Sequence, residues 1–203
     1  MVLELAIINR KALIGFWPVA LFLILGGCRV PSQPKVIIAT SLGNIVVAVD
    51  TVRAKVTSKN FLQLVERGAY KNGYFYRTVR LNNQPAAQHK IEVIQGGLFN
   101  DSLIAKYSEI AHEPTSQTGL FHVDGTISMA RLEPGTASTE FFICLGNQPE
   151  LDYGGRRNPD GQGFAAFGRV VSGMDVVRKI HQLPDTGQYL VSPVVIRWMR
   201  IEK

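Results

Sequence analysis

The chain alternates short β-branched apolar runs with turns rich in Gly, Pro, Asn and Asp, which is the pattern of a mainly β fold. Residues 36–39 and 45–49 are two such runs. Leu42-Gly43-Asn44 between them has the composition of a tight turn, so the domain is predicted to open with a β-hairpin. Further strands are predicted at 75–79, 91–95, 126–130, 140–145, 165–171 and 194–201.

Two segments show helical spacing of apolar residues instead. The first is predicted to begin at an N-cap supplied by Thr57 or Ser58 and to end at Gly68, and the second covers 173–180 with Ser172 as its cap. Their apolar positions are Phe61, Leu64 and Val65 in the first, and Met174, Val177 and Ile180 in the second. Eight short strands with only two helices predict a closed antiparallel barrel whose ends are capped by the helices, because closure removes exposed sheet edges.

The N-terminus has a different pattern from the rest of the chain. Arg10 and Lys11 precede an apolar run over residues 12–25, which is typical of an export signal. The run holds about 14 residues where a spanning helix needs about 20, so a transmembrane segment is disfavoured. Leu25-Gly26-Gly27-Cys28 resembles the lipobox of bacterial lipoproteins, in which the Cys is lipidated and becomes the new N-terminus.

These features divide the chain into three parts. We predict a signal peptide with its lipobox over 1–28, a Pro-containing tether over 29–34 and a folded domain over 35–203. The expected product is an exported lipoprotein, anchored to a membrane through Cys28 and facing the periplasm.

Composition and charge narrow the classes of function. The chain has 203 residues, of which 46% are hydrophobic, and this suits one globular domain. The net charge of +6 comes from scattered side chains without a long Lys/Arg block, so nucleic acid is not an expected partner. Lipidation of Cys28 would leave Cys144 without a disulfide partner, and its apolar neighbours predict a buried, inert thiol. We expect a monomer.

Several kinds of chemistry lack the residues they need. The four histidines lie far apart without the spacing of common zinc sites, so no metal site is predicted. The chain has no Gly-x-Ser-x-Gly elbow, no phosphate-binding loop and no carboxylate pair that indicates a glycosidase. On this basis alone, a barrel that binds an apolar ligand or a partner is as good an interpretation as an enzyme.

Three segments change that balance: Phe75-Tyr76-Arg77, Val93-Ile94-Gln95-Gly96-Gly97, and Gly125-Thr126-Ile127-Ser128-Met129-Ala130 followed by Ser138-Thr139-Glu140-Phe141-Phe142-Ile143. In order and approximate spacing they resemble the cyclophilin family, whose patterns are Phe-His-Arg, Gln-Gly-Gly, Gly-x-x-Ser-Met-Ala-Asn and Ser-Gln-Phe-Phe-Ile. The resemblance continues through residues 167–170 and 173–177. It implies an eight-stranded antiparallel barrel with two helices and peptidyl-prolyl cis–trans isomerase activity on proline-containing polypeptides, with neither cofactor nor metal.

The same resemblance assigns roles to single residues. Arg77 matches the arginine that donates to the proline nitrogen, and Gln95 matches the residue that holds this arginine and contacts substrate. Phe142, Val93 and Leu151 would line the pocket for the proline ring, and strand alternation assigns Phe141 to the barrel interior. The remaining predicted substrate contacts are Phe75, Ala130, Arg131, Glu140 and Phe164.

Some positions depart from the family pattern. Glu140 replaces Gln, Arg131 replaces Asn, and Phe164 falls where His is usual. Glu150 stands near the usual Trp, and Glu92 lies where Phe is expected. These changes predict a more highly charged groove. They leave open a second hypothesis, a non-catalytic module that binds proline peptides or acts like a chaperone on the same barrel.

Two polar loops add to the differences around the groove. Residues 82–90, between the segments that hold Arg77 and Gln95, look like an insertion that could shape substrate access. Residues 152–161 form another turn-rich loop, for which a plain surface connection is at least as good an interpretation as a role in specificity.

Overall fold

The structure is a computed structural model that describes residues 33–202. The predicted signal peptide, the lipidation site at Cys28 and most of the tether lie outside the described residues. Within 33–202 the structure has no helix that is both long and apolar enough to cross a membrane.

Nine strands and four α-helices make up the described part of the chain. The strands are β1 (Lys35–Thr40), β2 (Gly43–Val49), β3 (Gly73–Val79), β4 (Val93–Gly97), β5 (Thr126–Met129), β6 (Phe141–Cys144), β7 (Ala165–Ser172), β8 (Asp185–Thr186) and β9 (Tyr189–Ile201). The helices are α1 (Lys55–Glu66), α2 (Asp101–Ile104), α3 (Thr115–Thr118) and α4 (Met174–His181), and a 3₁₀ turn covers Pro149–Leu151. The two predicted helices correspond to α1 and α4, whereas α2 and α3 are too short to show a period in the sequence.

Eight of the strands close into a barrel. Their order is β1-β2-β7-β5-β6-β4-β3-β9, and pairing of β9 with β1 completes the ring, with every pair antiparallel. The predicted fold, a closed eight-stranded antiparallel barrel, is confirmed. The remaining strand, β8, pairs only with the start of β9 and forms a short hairpin with it outside the ring.

The barrel interior holds a core rich in aromatic rings. Phe61 from α1 packs 4.9 Å from the ring of Phe167 and 5.9 Å from that of Phe141. From α4, Val177 and Ile180 are fully buried in the same core. Both long helices therefore bury the apolar positions that their spacing predicted, except that Met174 is only partly buried against the same core. This burial supplies most of the stability of an amphipathic helix.

The predicted N-cap of α1 was wrong. The helix begins at Lys55, so Thr57 and Ser58 lie inside its first turn. The carboxylate of Glu113, distant in the sequence, accepts hydrogen bonds from the backbone N–H groups of Val56 and Thr57 at 3.1 and 2.8 Å. It also accepts one from the Thr57 hydroxyl at 2.7 Å. A helix N-terminus needs acceptors for its free N–H groups, and here tertiary structure supplies them.

The predicted cap of α4 was also wrong. Ser172 is the last residue of β7, and α4 begins at Met174 without a side-chain cap. Gly173 makes the transition at φ +90°, a left-handed conformation that favours glycine. A side chain at Gly173 would also meet the carbonyl oxygen of Asn44 at 2.3 Å, so close packing excludes larger residues here.

Candidate active site

A β-bulge in β3 decides which side chains face outward. The pairing register of β3 shifts between Phe75 and Arg77 against both β4 and β9. One extra residue, Tyr76, reverses the alternation, so Phe75 points into the core while Arg77 and Val79 point outward. Phe75 is fully buried with its ring 5.7 Å from that of Phe141. Its prediction as a substrate contact is corrected: it is a core residue.

The register of three further strands places the key outward positions in one row. Arg77 pairs with Gln95, Gln95 pairs with Phe142, and Phe142 pairs with Ser128. Neighbouring strands lie about 4.8 Å apart, so the backbones of Arg77 and Phe142, two strands away from one another, are about 10 Å apart. The barrel thus brings together a guanidinium, an amide and an apolar ring on a single outer face.

Hydrogen bonds hold the Arg77 guanidinium from two sides. Nη1 donates to Oε1 of Gln95 at 2.9 Å, and Nε donates to Oε1 of Gln188 at 3.1 Å. Nη2 donates to the same Gln188 oxygen at 2.5 Å. Of the five N–H donors, two have no acceptor among residues 33–202 and are available to a ligand. Burial lowers the pKa of Arg77, but a guanidinium stays protonated in proteins, so the side chain remains a cation.

A chain of hydrogen bonds continues from Gln95 in one direction. Gln95 Nε2 donates to the Tyr76 hydroxyl at 2.7 Å, and this hydroxyl donates to Oε2 of Glu140 at 2.7 Å. All the hydrogen bonds run in one direction: the Arg77 cation donates to Gln95, Gln95 donates to Tyr76, and Tyr76 donates to the Glu140 carboxylate. Because the carboxylate only accepts, the chain orients the Gln95 oxygen toward Arg77.

The carboxylate of Glu140 has further partners of its own. Its Oε1 accepts from the backbone N–H of Leu98 at 2.7 Å and from the Thr139 hydroxyl at 3.2 Å. Burial nevertheless raises the pKa of Glu140, and burial together with the charge of Glu140 raises the pKa of Tyr76. Glu140 was predicted to add charge to the groove, but its carboxylate serves as an internal acceptor.

The second glycine of the Gln-Gly-Gly segment has a specific reason to be glycine. Gly97 has φ +152°, and a Cβ there would lie 2.3 Å from Oε1 of Glu140. A Cβ on Gly96 would likewise meet the Phe75 ring at 2.8 Å. The two glycines allow the core ring and the carboxylate to approach the backbone from opposite faces.

An apolar cluster, here called the outer cluster, lies outside the barrel beside this row. It contains five of the predicted site residues, Val93, Phe142, Leu151, Ala130 and Phe164, together with Val79, Ile91 and Cys144. The rings of Phe142 and Phe164 meet edge to face at 5.3 Å. Phe141 and Phe142 face opposite sides, as alternation indicated. The Cys144 thiol is buried and its pKa is raised by burial, which agrees with the predicted inert cysteine.

Arg131, predicted to contact substrate, is tied into the protein. Its guanidinium binds both carboxylate oxygens of Asp160 at 2.8 and 2.9 Å and the carbonyl oxygen of Gly163. It lies 5.0 Å over the ring of Phe164, and its side chain is 1% exposed. Arg131 therefore builds one wall of the outer cluster and is not a free charge in the groove.

A buried His and Ser are connected to a partly buried Asp behind Phe142, and sequence reasoning missed this arrangement. His122 Nδ1 lies 2.7 Å from Oδ1 of Asp152, and Nε2 lies 2.9 Å from Oγ of Ser128. Ser128 is fully buried, so it cannot act as a nucleophile on a polypeptide. The His122 ring stacks against Phe142 at 5.9 Å, which makes it a support for the outer cluster. No spacing in the sequence marks these three residues as neighbours.

A cleft of about 670 Å³ adjoins the site. Four predicted site residues line it, Gln95, Ala130, Arg131 and Glu140, together with Tyr76 and the exposed Tyr189. Within residues 33–202 no group of three or more His, Cys, Asp or Glu is arranged to hold a metal ion.

A closed eight-stranded antiparallel barrel that carries an outward arginine beside an apolar cluster defines the class of cyclophilin-like proteins. The family model described as cyclophilin type peptidyl-prolyl cis-trans isomerase/CLD matches residues 35–201. The chain belongs to this family of peptidyl-prolyl cis–trans isomerases.

Comparison with individual proteins agrees with this assignment. The chain is 35% identical to peptidyl-prolyl cis-trans isomerase A of Dickeya dadantii over 178 residues, which covers 85% of this chain and 86% of the relative. It is 33% identical to peptidyl-prolyl cis-trans isomerase B of Escherichia coli, over 70% of this chain and 80% of the relative. A crystal structure of a Cryptosporidium parvum cyclophilin, determined in the presence of the dipeptide Ala-Pro, shares the fold with a TM-score of 0.66 and 22% identity, covering 83% of this chain and 99% of that one.

Proposed function

We propose that this chain accelerates rotation of X–Pro bonds in polypeptides outside the cytoplasm, with Arg77 as the catalytic residue. The observation that carries the proposal is the position of Arg77, which lies in one row with Gln95 and Phe142. Hydrogen bonds hold its guanidinium from two sides, and two of its N–H donors have no acceptor in the described part of the chain. The outer cluster offers an apolar surface for the proline ring on the same face.

The chemistry follows from the electronic structure of the amide. Rotation about the X–Pro bond removes amide resonance, with a barrier of about 18–20 kcal/mol. As the bond twists, the proline nitrogen becomes pyramidal and its lone pair becomes a hydrogen-bond acceptor. An N–H of Arg77 aimed at that nitrogen binds the twisted state more strongly than the planar one, which lowers the barrier. Gln95 keeps the cation in place, so little reorganisation is needed during the reaction.

The test is an isomerisation assay on a short X–Pro peptide with the full-length protein in mild detergent. We expect Arg77→Ala to lower kcat/KM by about 10²–10³-fold, the usual effect of removing one preorganised donor. Arg178→Ala is the matched control, because Arg178 is 54% exposed and pairs with the surface residue Asp124. Equal activity of the Arg77→Ala variant and the parent would disprove the assignment.

One observation favours the alternative hypothesis, a proline-peptide binding module. Leu151 is 1% exposed and Phe142 is 5% exposed, so a proline ring would contact mainly the partly buried Ala130 and Phe164 of the outer cluster, a shallow contact that suits binding better than the fixed alignment that catalysis needs. Under this hypothesis the parent protein would bind an X–Pro peptide in an NMR titration, and the exchange rate between cis and trans peptide would stay at its uncatalysed value. Catalysed exchange in the parent would exclude it.

We further propose that the protein is exported and anchored through a lipid on Cys28, facing the periplasm. Support comes from Arg10 and Lys11 before the apolar run and from the Leu25-Gly26-Gly27-Cys28 segment. Its clients would then be proline-containing polypeptides that fold outside the cytoplasm. Mass spectrometry of the mature N-terminus tests this directly: a diacylglycerol on Cys28 is expected, and an intact Met1 or a free Cys28 thiol would refute it.

A further inference from the structure

The hairpin that joins β8 to β9 carries a residue whose backbone conformation is unusual for its type. Thr186 pairs with Tyr189, so the loop between them has two residues, Gly187 and Gln188. Their φ angles are +55° and +76°. Two-residue loops with positive φ at both positions favour Gly, Asn or Asp, and a longer side chain in this region is strained. A glutamine at this position needs a reason beyond the turn itself.

The side chain of Gln188 supplies that reason. Its Oε1 accepts from both Nε and Nη2 of Arg77. Its Nε2 donates to the carbonyl oxygen of Asn83 at 3.1 Å, which settles the orientation of the amide, and its backbone N–H donates to Asp185 at 3.1 Å. Both lone pairs of Oε1 are therefore used by one guanidinium.

The chemistry of an amide suits this role. Gln95 and Gln188 hold Arg77 from two sides, and both acceptors are neutral. A carboxylate in the place of Gln188 would also orient the guanidinium, but it would offset the positive charge that a proline nitrogen has to meet. A neutral acceptor orients the cation and leaves its charge available.

The polar loop over 82–90 braces this hairpin. Asn83 accepts from Gln188 and donates through Nδ2 to the carbonyl oxygen of Thr78 and to Oδ2 of Asp185. Asp185 forms an ion pair with Arg80, and both side chains are largely buried. The loop that the sequence marks as an insertion thus connects the end of β3 to the residue that holds Arg77.

We propose that Gln188 is a positioning residue for catalysis, which acts by orienting the Arg77 guanidinium through Nε and Nη2. This inference rests on the proposed function, since it assumes that Arg77 is the catalytic group. It predicts that removal of the Gln188 side chain lowers the turnover rate and leaves substrate binding nearly unchanged, because the apolar surface for the proline ring lies on other strands.

The variant that separates this role from a structural one is Gln188→Gly. Glycine fits φ +76° without strain, so the turn should be at least as stable as in the parent. A residue that matters only for the backbone of the turn would then show unchanged or improved activity and stability. We expect instead that kcat falls about tenfold with KM within about twofold in the full-length protein. Asn72→Gly is the matched control, because Asn72 also has positive φ, at 62°, and its side chain is exposed.

A second variant and a second measurement test the mechanism. In Gln188→Glu the carboxylate keeps the acceptor, so the Arg77 Nε–H signal in ¹⁵N NMR should remain protected from exchange with water while kcat falls. In Gln188→Gly the exchange of that Nε–H should accelerate about tenfold or more. A kcat of Gln188→Gly within twofold of the parent, or unchanged Nε–H exchange in that variant, would overturn the proposal.

The two proposals fail in different ways. If Arg77→Ala is as active as the parent, Arg77 is not the catalytic residue, and Gln188 loses its catalytic role whatever its contacts. If Arg77→Ala is inactive but Gln188→Gly is fully active, only the positioning role is refuted. If the parent itself shows no activity, the catalytic role of both residues is refuted.

Discussion

Tyr76 and Glu140 should act as one unit in keeping Gln95 oriented toward Arg77. In Glu140→Gln the new amide has one oxygen, whereas the carboxylate accepts from both the Leu98 N–H and the Tyr76 hydroxyl. If that oxygen stays with Leu98, the amide NH₂ faces Tyr76, whose hydroxyl then turns toward Gln95. Gln95 would rotate and direct its own NH₂ at the cation. The substitution restores the residue of the family pattern and is still expected to lower activity.

The magnitude follows from the groups left without partners. In Tyr76→Phe, the Gln95 amide and the Glu140 carboxylate each lose one hydrogen bond. A buried polar group without a partner costs about 1–3 kcal/mol, and both of these side chains are only partly buried, so the two losses together should lower the free energy of unfolding by about 2 kcal/mol. Loss of about 1.4 kcal/mol of transition-state stabilisation corresponds to about a tenfold lower kcat/KM, and we expect this for each single variant.

A double-mutant cycle separates one unit from two independent contacts. Peptide isomerisation is measured for the parent, for Tyr76→Phe, for Glu140→Gln and for the double variant. Independent effects would multiply to about a hundredfold loss, whereas members of one hydrogen-bond chain should lose about tenfold together. Glu133→Gln is the control, because Glu133 is exposed. Multiplicative losses in the double variant would refute the reasoning.

The hydrogen-bond chain from Arg77 to Glu140 also predicts a pH dependence, with opposite signs for activity and for stability. Burial raises the pKa of Glu140, so the folded protein takes up this proton at a higher pH than the unfolded chain does. The contribution of Glu140 to the free energy of unfolding is therefore largest at low pH and is lost as the pH rises through the raised pKa. Activity should change the other way. A proton on Oε2 donates to the Tyr76 hydroxyl and reverses the chain, so kcat/KM should fall below that pKa, and this acid limb should be absent in Glu140→Gln.

Three further substitutions test features of the fold and of the outer cluster. Glu113→Gln removes one of two carboxylate acceptors at the start of α1 and should lower the free energy of unfolding in urea by about 1–2 kcal/mol, with activity per folded molecule unchanged. Gly97→Ala should displace the Glu140 carboxylate and abolish most activity. Gly135→Ala is the control, because Gly135 also has positive φ but has open space around it, and this variant should keep its activity. Equal losses in the two variants would point to backbone strain alone. Phe142→Ala should raise KM and lower the free energy of unfolding by about 3–5 kcal/mol, and an unchanged KM would place the proline ring elsewhere.

The barrel could be predicted because its signal is local. Short runs of β-branched and aromatic residues bounded by turn residues mark the eight strands of the ring, and the apolar stripes of α1 and α4 mark the two long helices. The helix caps could not be predicted in the same way. Thr57 is a good cap by composition, but Glu113 reaches the start of α1 from a distant loop and serves instead. A tertiary contact of this kind overrides local preference, and a single sequence contains no trace of it.

The site could be predicted only within the segments that resemble the family patterns. Arg77, Gln95 and Phe142 were assigned by resemblance, and the structure shows why they meet, since their strands are paired in a single register. Alternation separates Phe141 from Phe142 correctly. Phe75 was assigned to the groove by the same resemblance but lies in the core, because a bulge at Tyr76 reverses the faces of β3 and nothing in the sequence marks the bulge.

The charged replacements show why sequence alone misjudged the electrostatics of the groove. Glu140 and Arg131 replace neutral family residues, and counting them suggested a more highly charged surface. Each charge instead has internal partners: Arg131 binds Asp160, and Glu140 ends the hydrogen-bond chain that begins at Arg77. The Arg131–Asp160 ion pair has no net charge and contributes little field to a ligand, whereas Glu140 keeps its charge but directs both oxygens at internal donors, so the number of charged residues near a site does not give its potential. Arg77 keeps two N–H donors without an acceptor in the described part of the chain, and the two glutamines that hold it are neutral. For this reason the substitutions that look most disruptive in the sequence are compatible with the same reaction.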